Sequence, residues 1–419
     1  MKLLASAALV AGLAAFGAAT AAPVVQPLKH NLVQRSGLTF HMAACSSAGS
    51  LSNCHVHIVT DSAGNPARVP AVPPGGLFSC QKTVPSGCLS PAQLRAAYGI
   101  TGSGRSTTTV AIVDAFAYPS AESDLAAYRA QFLLPPCTVA SGCLKIVNQT
   151  GGTTPPAVVD AGWDVEQGLD LAMVSAMCPS CKILLVQTND NFNSNLGAGV
   201  NEAVALGAHV VSNSYGGGEL GSQSFEWEYN HPGVAITAST GDSGYGAQFP
   251  ATSPHVTAVG GTTLNMNLNA RLSETVWGGA GSGCSSAYQA PAWQTPSHTN
   301  MSNNTLCAMR AEADVSAIAD PNTGVLVFYS FLSGGVGFYR VGGTSVAAPL
   351  IGGIYGERND PVFYGRNPYL APSSAFHDVT VGTNAPGIGG SCGGTYLCVG
   401  EVGYDGPTGL GTPNGDSAF

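Results

Sequence analysis

Ser345 is the first candidate for chemistry, in residues 342–349, GGTSVAAP. The two glycines permit a sharp turn, and the Ala and Val residues after it resume a helix, so Ser345 is predicted at a helix N-terminus. Unpaired N–H groups and the helix dipole favour an anion there, as a nucleophilic serine requires when an oxyanion forms beside it. Serine also caps many helices, so these eight residues alone leave nucleophile and N-cap both open.

Two acidic residues of one predicted helix form a second candidate group. Glu166 and Asp170 lie four positions apart in residues 162–170, GWDVEQGLD, so they share one face of a helix. Like charges at that spacing repel, and burial adds to the cost of charging them, so one carboxyl is expected to keep a proton. A solvated acidic face is the alternative, but apolar residues at positions 165, 169, 172, 174 and 177 leave little room for one.

Two further acids follow predicted buried strands. Asp114 comes directly after residues 108–113, TTVAIV, and Asp242 lies in residues 238–244, ASTGDSG, after residues 234–238. In parallel sheets the chemistry gathers at the carboxyl ends of the strands, where these acids would lie. By itself, Gly-Asp-Ser-Gly is more typical of a turn, so a structural role for Asp242 stays open at this point.

The segment around Ser345 resembles the nucleophile motif of the subtilisin superfamily, which has Gly-Thr-Ser and a proline four residues after the serine. None of the nine histidines stands in the His-Gly-Thr context of an ordinary subtilase, which excludes an Asp-His-Ser subtilase. With Glu166 and Asp170 added, the chain resembles the sedolisins, the serine-carboxyl peptidases of peptidase family S53. The similarity runs from position 89 to the C-terminus and includes residues 98–100, 249–254, 258–262, 314–317 and 408–411.

The resemblance implies a fold and a role for each candidate. The fold would be α/β, a subtilisin-like parallel sheet flanked by helices. Ser345 would be the nucleophile, and Glu166 and Asp170 would supply the base. Asp242 would be the acid of the oxyanion hole. Asp114 takes the place of a glutamate that extends the acid network in some members, and its shorter side chain leaves its contribution open.

The resemblance also implies one structural calcium ion near the C-terminus. Two Asp side chains separated by a glycine-rich loop offer hard oxygen ligands, and backbone carbonyls can complete the shell. The ligands would be the side chains of Asp378 and Asp405 and the carbonyls of Val379, Glu401 and Gly403. Glu401 replaces the glycine usual in the family, which matters little for a carbonyl ligand. A solvated loop with two acids is the alternative.

Strands and helices alternate in the predicted element order, which independently indicates a parallel α/β sheet. A helix is expected to start at Ser90, with that serine as its cap and Pro91 in its first turn. The predicted strands are 108–113, 183–187, 209–214 and 234–238, and the predicted helices are 124–132 and 201–206.

Three regions follow along the chain. Residues 1–21 have the pattern of a secretory signal peptide, with an apolar run and Ala-Thr-Ala before a cleavage point after Ala21. A membrane anchor is the alternative, but the apolar stretch is short. Residues 22–88 form a short N-terminal extension with a Pro- and Gly-rich linker at 70–76, and 89–419 form the peptidase domain. The family usually has a longer folded prodomain, so whether this extension is a propeptide stays open.

The twelve cysteines of an exported chain are expected to form disulfides. They fall in sequence neighbours, so the simplest pairing is Cys45–Cys54, Cys80–Cys88, Cys137–Cys143, Cys178–Cys181, Cys284–Cys307 and Cys392–Cys398. A redox or zinc role for the single Cys-Pro-Ser-Cys is the weaker alternative, since no second pair accompanies it. His55 and His57 form an isolated H-x-H that is expected in an exposed strand rather than at a metal.

Composition narrows the function classes. The net charge of −9 and the absence of a basic run exclude a nucleic-acid partner, and no later stretch is apolar enough for stable membrane association. The chain is predicted to be a secreted, monomeric serine-type endopeptidase acting on protein or peptide substrates at acidic pH, because a glutamate base with a reference pKa of about 4.3 works best there. The alternative is a catalytically silent sedolisin-fold binding protein, against which all four catalytic residue types are present.

Overall fold

The computed structural model describes residues 23–29, 31–36, 39–45, 51–294, 307–387 and 389–419. The predicted signal peptide, residues 1–21, lies outside the described residues. Within the described ranges, no helix combines the length and the apolar character that crossing a membrane requires.

The elements below are numbered in chain order. The helices are α1 (Pro91–Ala97), α2 (Ala121–Gln131), α3 (Ala161–Met177), α4 (Asn193–Ala205), α5 (Thr344–Arg358) and α6 (Asn367–Leu370). Short 3-10 helices are Ser79–Lys82, Ser222–Ser224, Glu226–Tyr229, Tyr364–Arg366 and Ser373–Ala375. The strands are β1 (Val24–Gln26), β2 (Gln34–Ser36), β3 (Thr39–Ala43), β4 (Asn53–Cys54), β5 (His57–Thr60), β6 (Arg68–Val69), β7 (Thr109–Ala115), β8 (Leu144–Asn148), β9 (Val158–Asp160), β10 (Lys182–Thr188), β11 (Val210–Asn213), β12 (Tyr215–Gly216), β13 (Ala235–Ser239), β14 (Thr257–Asn267), β15 (Ala270–Val276), β16 (Gly283–Gln289), β17 (Met309–Glu312), β18 (Val315–Ile318), β19 (Val325–Tyr329), β20 (Gly337–Gly342), β21 (Phe376–His377) and β22 (Thr412–Pro413).

A large parallel sheet forms the centre of the protein, in the order β15-β14-β13-β11-β7-β10-β8, with β18 also paired to β14. Its strand pairs are parallel except at the β14–β15 edge, where a hairpin turns the chain back. This confirms the predicted α/β, subtilisin-like class, and the parallel order requires the helical crossovers that the element sequence indicated.

Both faces of the central sheet are covered by helices, as the side chains of β7 show. Val110 and Ile112 belong to the apolar cluster that includes residues of α3 and α5, whereas Ala111 and Val113 pack with Val200 on the face covered by α4. Successive residues of a strand point to opposite faces, so a strand buried on both sides is apolar throughout.

The predicted helix at 201–206 is longer than expected, because α4 begins at Asn193. Its first two turns contain Asn, Ser and Gly, which have weak helix propensity. Leu196 and Val200 are nevertheless buried, one helical turn apart, and tertiary packing of that face stabilises the helix. The predicted start of α1 is confirmed, since Ser90 is its N-cap and Pro91 its first residue.

Described residues of the N-terminal extension pair with strands of the domain that follows. β3 and β5 belong to a six-stranded sheet of order β19-β20-β5-β3-β2, in which β6 also pairs with β20. β1 pairs with β9, and β4 pairs antiparallel with β12. The expectation that His55 and His57 lie in an exposed strand is wrong, because both side chains are buried. His57 contacts His41 of β3, and His55 contacts Ser239 and Gln248.

The six predicted disulfides all form, with Cα–Cα distances of 5.0 to 6.1 Å. Cys178 and Cys181 are bonded to each other, so the redox or zinc alternative for that pair is not needed. Because disulfides persist in oxidising compartments, the protein is of an extracellular or lumenal type.

Candidate active site

Ser345 is the second residue of α5, directly after the turn that the two glycines were expected to form. Gly343 has a φ of 106°, which few residues other than glycine adopt, and this turn brings the chain from β20 into the helix. The Ser345 hydroxyl lies 2.8 Å from Glu166 Oε2 and 3.2 Å from the carbonyl oxygen of Ser214. The structure therefore gives the predicted nucleophile a carboxylate as its hydrogen-bond acceptor.

Helix α3 positions the two predicted acids of the base. Its N-terminus is capped by Asp160, whose side chain accepts from the N–H groups of Gly162 and Trp163. The rest of the helix is buried, so the alternative of a solvated acidic face does not apply. Asp170 follows Glu166 by one turn, and its Oδ1 accepts a hydrogen bond of 2.9 Å from the Ser214 hydroxyl.

Asp114, Glu166 and Asp170 form one group, called here the carboxyl cluster. Glu166 Oε1, Asp170 Oδ2 and both oxygens of Asp114 are buried without a hydroxyl or N–H partner among the described residues. Burial first, and the neighbouring carboxyls second, raise the pKa of Glu166 and Asp114 well above the ordinary range. Burial likewise raises the pKa of Asp170, although hydrogen bonds from Ser214 and Glu166 lower it by a smaller amount. Protons held within the cluster satisfy oxygens that otherwise lack donors.

Asp242 lies on the other side of Ser345, three residues after the end of β13. Its Oδ1 accepts hydrogen bonds of 2.8 Å from both the backbone N–H and the hydroxyl of Thr344. Its Oδ2 is buried without a hydrogen-bond partner and lies 3.6 Å from His57 Nε2. Burial raises the pKa of Asp242 to about 7, so below neutral pH the carboxyl carries a proton that it can donate.

Part of the N-terminal extension lies in the cleft between these groups. The Ser345 N–H donates to the carbonyl oxygen of His55 at 3.1 Å, and the His55 N–H donates to the carbonyl of Ser214 at 3.1 Å. Gly343 lies against both groups: if this glycine carried a Cβ atom, that atom would be 2.1 Å from the His55 carbonyl oxygen and 2.5 Å from Asp242 Oδ2. The His55 carbonyl therefore lies between the backbone donor and the unpartnered acid, where an oxyanion hole would bind a carbonyl.

The two acids predicted to bind calcium, Asp378 and Asp405, contact the same short loop. Asp378 Oδ2 accepts from the N–H of Gly403 at 2.9 Å, and Asp405 Oδ2 accepts from the N–H of Glu401 at 3.1 Å. Both acids thus border the loop whose carbonyls were expected to bind the ion, and Val379 follows Asp378 directly. Within the described residues, no three His, Cys, Asp or Glu side chains form a metal site. The donor set of two carboxylates and backbone carbonyls suits calcium and no softer metal.

Three positions at the site had not been assigned a role. Ser214 contacts both Ser345 and Asp170, and its place directly after a predicted strand, 209–214, was a usable signal because strand ends meet at the carboxyl edge. Thr344 orients Asp242, but its position beside Ser345 did not distinguish that role from helix capping. No local pattern indicated that His55 would reach the cleft.

Comparisons with known proteins find a family model and several similar peptidases. Residues 152–358 match the model of the subtilase family. Kumamolisin of Bacillus sp. (strain MN-32) is 31% identical over 331 residues, which cover 70% of this chain and 56% of that protein. Sedolisin of Pseudomonas sp. (strain 101) is 31% identical over 214 residues, 43% of this chain and 33% of that protein. The chain thus spans about half or less of these relatives.

A solved structure shows the same fold. Pseudomonas sedolisin, a serine-carboxyl proteinase complexed with two molecules of pseudo-iodotyrostatin, has a TM-score of 0.65 at 24% identity, with 79% of this chain and 96% of that chain covered. The family match and the two relatives agree with this fold. The chain is similar in sequence to sedolisins, serine-carboxyl peptidases, and has their subtilisin-like fold.

Proposed function

We propose that this protein is a serine-carboxyl endopeptidase that hydrolyses peptide bonds of protein or peptide substrates at acidic pH. The observation that supports this most is the 2.8 Å contact between the Ser345 hydroxyl and Glu166, beside a carbonyl group held by the Ser345 N–H. A nucleophile, its proton acceptor and a bound carbonyl then occupy one cleft, as acyl transfer requires.

In the proposed reaction, Ser345 Oγ attacks the substrate carbonyl carbon while Glu166 takes the hydroxyl proton. Glu166 then gives that proton to the leaving amine, and a water molecule hydrolyses the ester left on Ser345 by the same route. Asp170 orients Glu166 and is itself held by Ser214, and the carboxyl cluster provides acidic neighbours that keep Glu166 a strong proton acceptor.

The oxyanion of the tetrahedral intermediate would be bound by the Ser345 N–H and by protonated Asp242. An ionised carboxylate can only accept hydrogen bonds, so Asp242 contributes only while it keeps its proton. Its pKa of about 7 places the loss of that donor near neutral pH. The proposal of acidic action therefore rests on the protonated state of Asp242.

We further propose one structural calcium ion bound by the side chains of Asp378 and Asp405 and the carbonyls of Val379, Glu401 and Gly403. Such an ion would tie together the last loops of the chain, far in sequence from Glu166 and Ser345, and would supply no part of the chemistry. Secretion through residues 1–21 and a monomeric state complete the proposal, with residues 22–88 as an extension and 89–419 as the peptidase domain.

The direct test incubates the purified full chain with a denatured protein between about pH 3 and pH 7 and measures the peptides released. Ser345→Ala is the matched control, because it removes one oxygen from a buried position. Cleavage by the wild type alone supports the enzyme. Absence of cleavage at every pH would instead favour the catalytically silent binding protein.

A further inference from the structure

The segment in the cleft lies as a peptide substrate would lie. β4, Asn53–Cys54, pairs antiparallel with β12, and the next residue, His55, bonds through its N–H to Ser214 and through its carbonyl to Ser345. Extended peptides commonly bind by adding a strand to an exposed edge in this way. The register puts the His55 carbonyl carbon beside Ser345, so the peptide bond presented to the nucleophile is His55–Val56.

The side chain of His55 fills a pocket with two matched polar groups. Its Nδ1 lies 2.7 Å from the hydroxyl of Ser239, and its Nε2 lies 3.2 Å from Gln248 Oε1. Gly216 forms one wall, where a Cβ would come within 2.7 Å of the imidazole Cε1. The absence of a side chain at position 216 leaves room for the ring, since a real Cβ would displace it.

The pocket groups complement a neutral imidazole, which has one donor and one acceptor nitrogen. Gln248 Oε1 accepts from Nε2–H, and the Ser239 hydroxyl donates to Nδ1. Gln248 is itself held in place: its backbone N–H donates to Glu312 at 3.3 Å, and a Cβ at Gly241 would lie 2.5 Å from its side-chain nitrogen. An apolar side chain in this pocket would leave both Ser239 and Gln248 buried without partners, which costs binding energy.

We propose that the pocket formed by Gly216, Ser239 and Gln248 selects histidine on the N-terminal side of the cleaved bond, and that His55–Val56 of this chain is itself such a bond. This rests on the proposed peptidase function. In the self-cleavage step, Ser345 Oγ bonds to the His55 carbonyl carbon and the bond to the Val56 nitrogen breaks, with the Ser345 proton passing through Glu166 to that nitrogen. Water then hydrolyses the His55 ester, which leaves a His55 carboxylate, a Val56 amine and free Ser345.

Burial supports the protonation state that the pocket needs. It lowers the pKa of His55 to about 4, although the hydrogen bond that Nε2–H donates to Gln248 raises it by a smaller amount. In mildly acidic solution the bound imidazole is therefore neutral, with the single donor and single acceptor that the pocket matches. Lys and Arg side chains offer only donors, and burying their charge here would cost more.

The first experiment follows the full chain at acidic pH by intact mass. We expect a new C-terminus at His55 and a new N-terminus at Val56 in the wild type, and an intact chain in Ser345→Ala. Gln248→Leu should slow cleavage of this bond by about tenfold or more, because it removes the acceptor for Nε2–H. Gln223→Leu is the matched control, since Gln223 is exposed and lies outside the pocket, and it should cleave like the wild type.

The second experiment tests the selectivity of the pocket on foreign peptides. The acid-treated wild-type chain digests a mixed peptide library, and the residue before each cut is counted by mass spectrometry. Histidine should be enriched about tenfold or more over leucine, and Gln248→Leu should abolish that ratio while retaining cuts after other residues. Cleavage without histidine enrichment would overturn this inference and leave the peptidase intact. If neither the library nor the chain is cleaved, both the proposed peptidase function and this inference are overturned.

Discussion

Two groups of buried ionisable side chains border the cleft, and acid acts on them in opposite directions. The carboxyl cluster on α3 and β7 has its pKa values raised, chiefly by burial. On the other side, β3, β5 and the residues before β5 contribute His41, His55 and His57, called here the histidine group. Burial disfavours the charged form in each case, which makes carboxyls keep protons and imidazoles lose them.

The histidine group is tightly packed. His41 Nδ1 lies 2.9 Å from His57 Nδ1, and His57 faces Asp242. Burial lowers the pKa of His57 to about 3, with His41 and His55 adding to the effect. Burial also lowers the pKa of His41. The charges of Asp320 and Arg340 have smaller effects on this pKa: Asp320 raises it and Arg340 lowers it. Burial lowers the pKa of His55 to about 4, and the hydrogen bond to Gln248 raises it by a smaller amount.

The two groups therefore change stability with opposite sign. A carboxyl with a raised pKa stabilises the folded state most at low pH, and that contribution is lost as pH rises through the folded pKa. A histidine with a lowered pKa contributes above its unfolded pKa of 6.5, and the contribution is lost as pH falls towards 3 to 4. Mild acid should thus preserve the stability of the region around α3 and lower the stability of the N-terminal segment in the cleft.

The largest effect is expected from removing the proposed catalytic pair, Ser345 and Glu166. Ser345→Ala and Glu166→Gln should each reduce turnover by roughly three or more orders of magnitude, and the double variant should lose little more, because the residues act as a unit. Steady-state rates on a denatured protein at the wild-type optimum measure this. Ser224→Ala, at an exposed serine, is the control and should leave the rate unchanged. Additive losses would argue against a shared step.

The next largest effect concerns Asp242. Asp242→Ala should cost about 10² to 10³ in turnover, the usual effect of losing one oxyanion donor. Asp242→Asn keeps a donor at every pH, so it should retain some activity and move the alkaline limb of the profile above pH 7, where the wild-type carboxyl loses its proton. An unchanged profile in the Asn variant would remove Asp242 from the oxyanion hole.

The histidine group gives a smaller, graded effect. In a Ser345→Ala background, hydrogen exchange of residues 53–60 should accelerate as pH falls from 6.5 towards 4, after correction for the intrinsic rate. The change should be at most about tenfold per pH unit for each histidine that must be charged. His57→Phe should flatten the dependence, whereas His209→Asn, at an exposed position, should not. Exchange independent of pH would show that the two buried groups do not oppose each other.

The smallest effect is expected at the C-terminal pair Asp378 and Asp405, the proposed side-chain ligands of calcium. Chelation or Asp405→Ala should lower the melting temperature by several degrees, and activity should fall in parallel, because a ligand of the folded state stabilises it by mass action. Asp360→Ala, at an exposed ion pair with Arg358, is the control. A melting temperature unchanged by chelator, with no ion in the purified protein, would contradict the site.

The amino-acid sequence predicts correctly those features that depend on residues close together along the chain. The i, i+4 spacing put Glu166 and Asp170 on one face of α3, and the two glycines put Ser345 at the start of α5. The six disulfides were predicted because most of them close short loops. For Glu166, Asp170 and Ser345 the geometry of a few consecutive residues decides the outcome, so no knowledge of the rest of the fold was required.

Contacts between distant segments were decided only by the tertiary structure. Ser214 bridges α3 and α5, and Asp114 joins the carboxyl cluster, because parallel strands bring their carboxyl ends to one edge. The H-x-H pattern of His55 and His57 is compatible with exposure or burial, and only the strands and cleft that cover it made both imidazoles buried. The sequence by itself thus determined the reactive residue types and their local geometry. Which of them share a site, and in which protonation state, was decided by long-range packing, because burial sets the free energy of each charge.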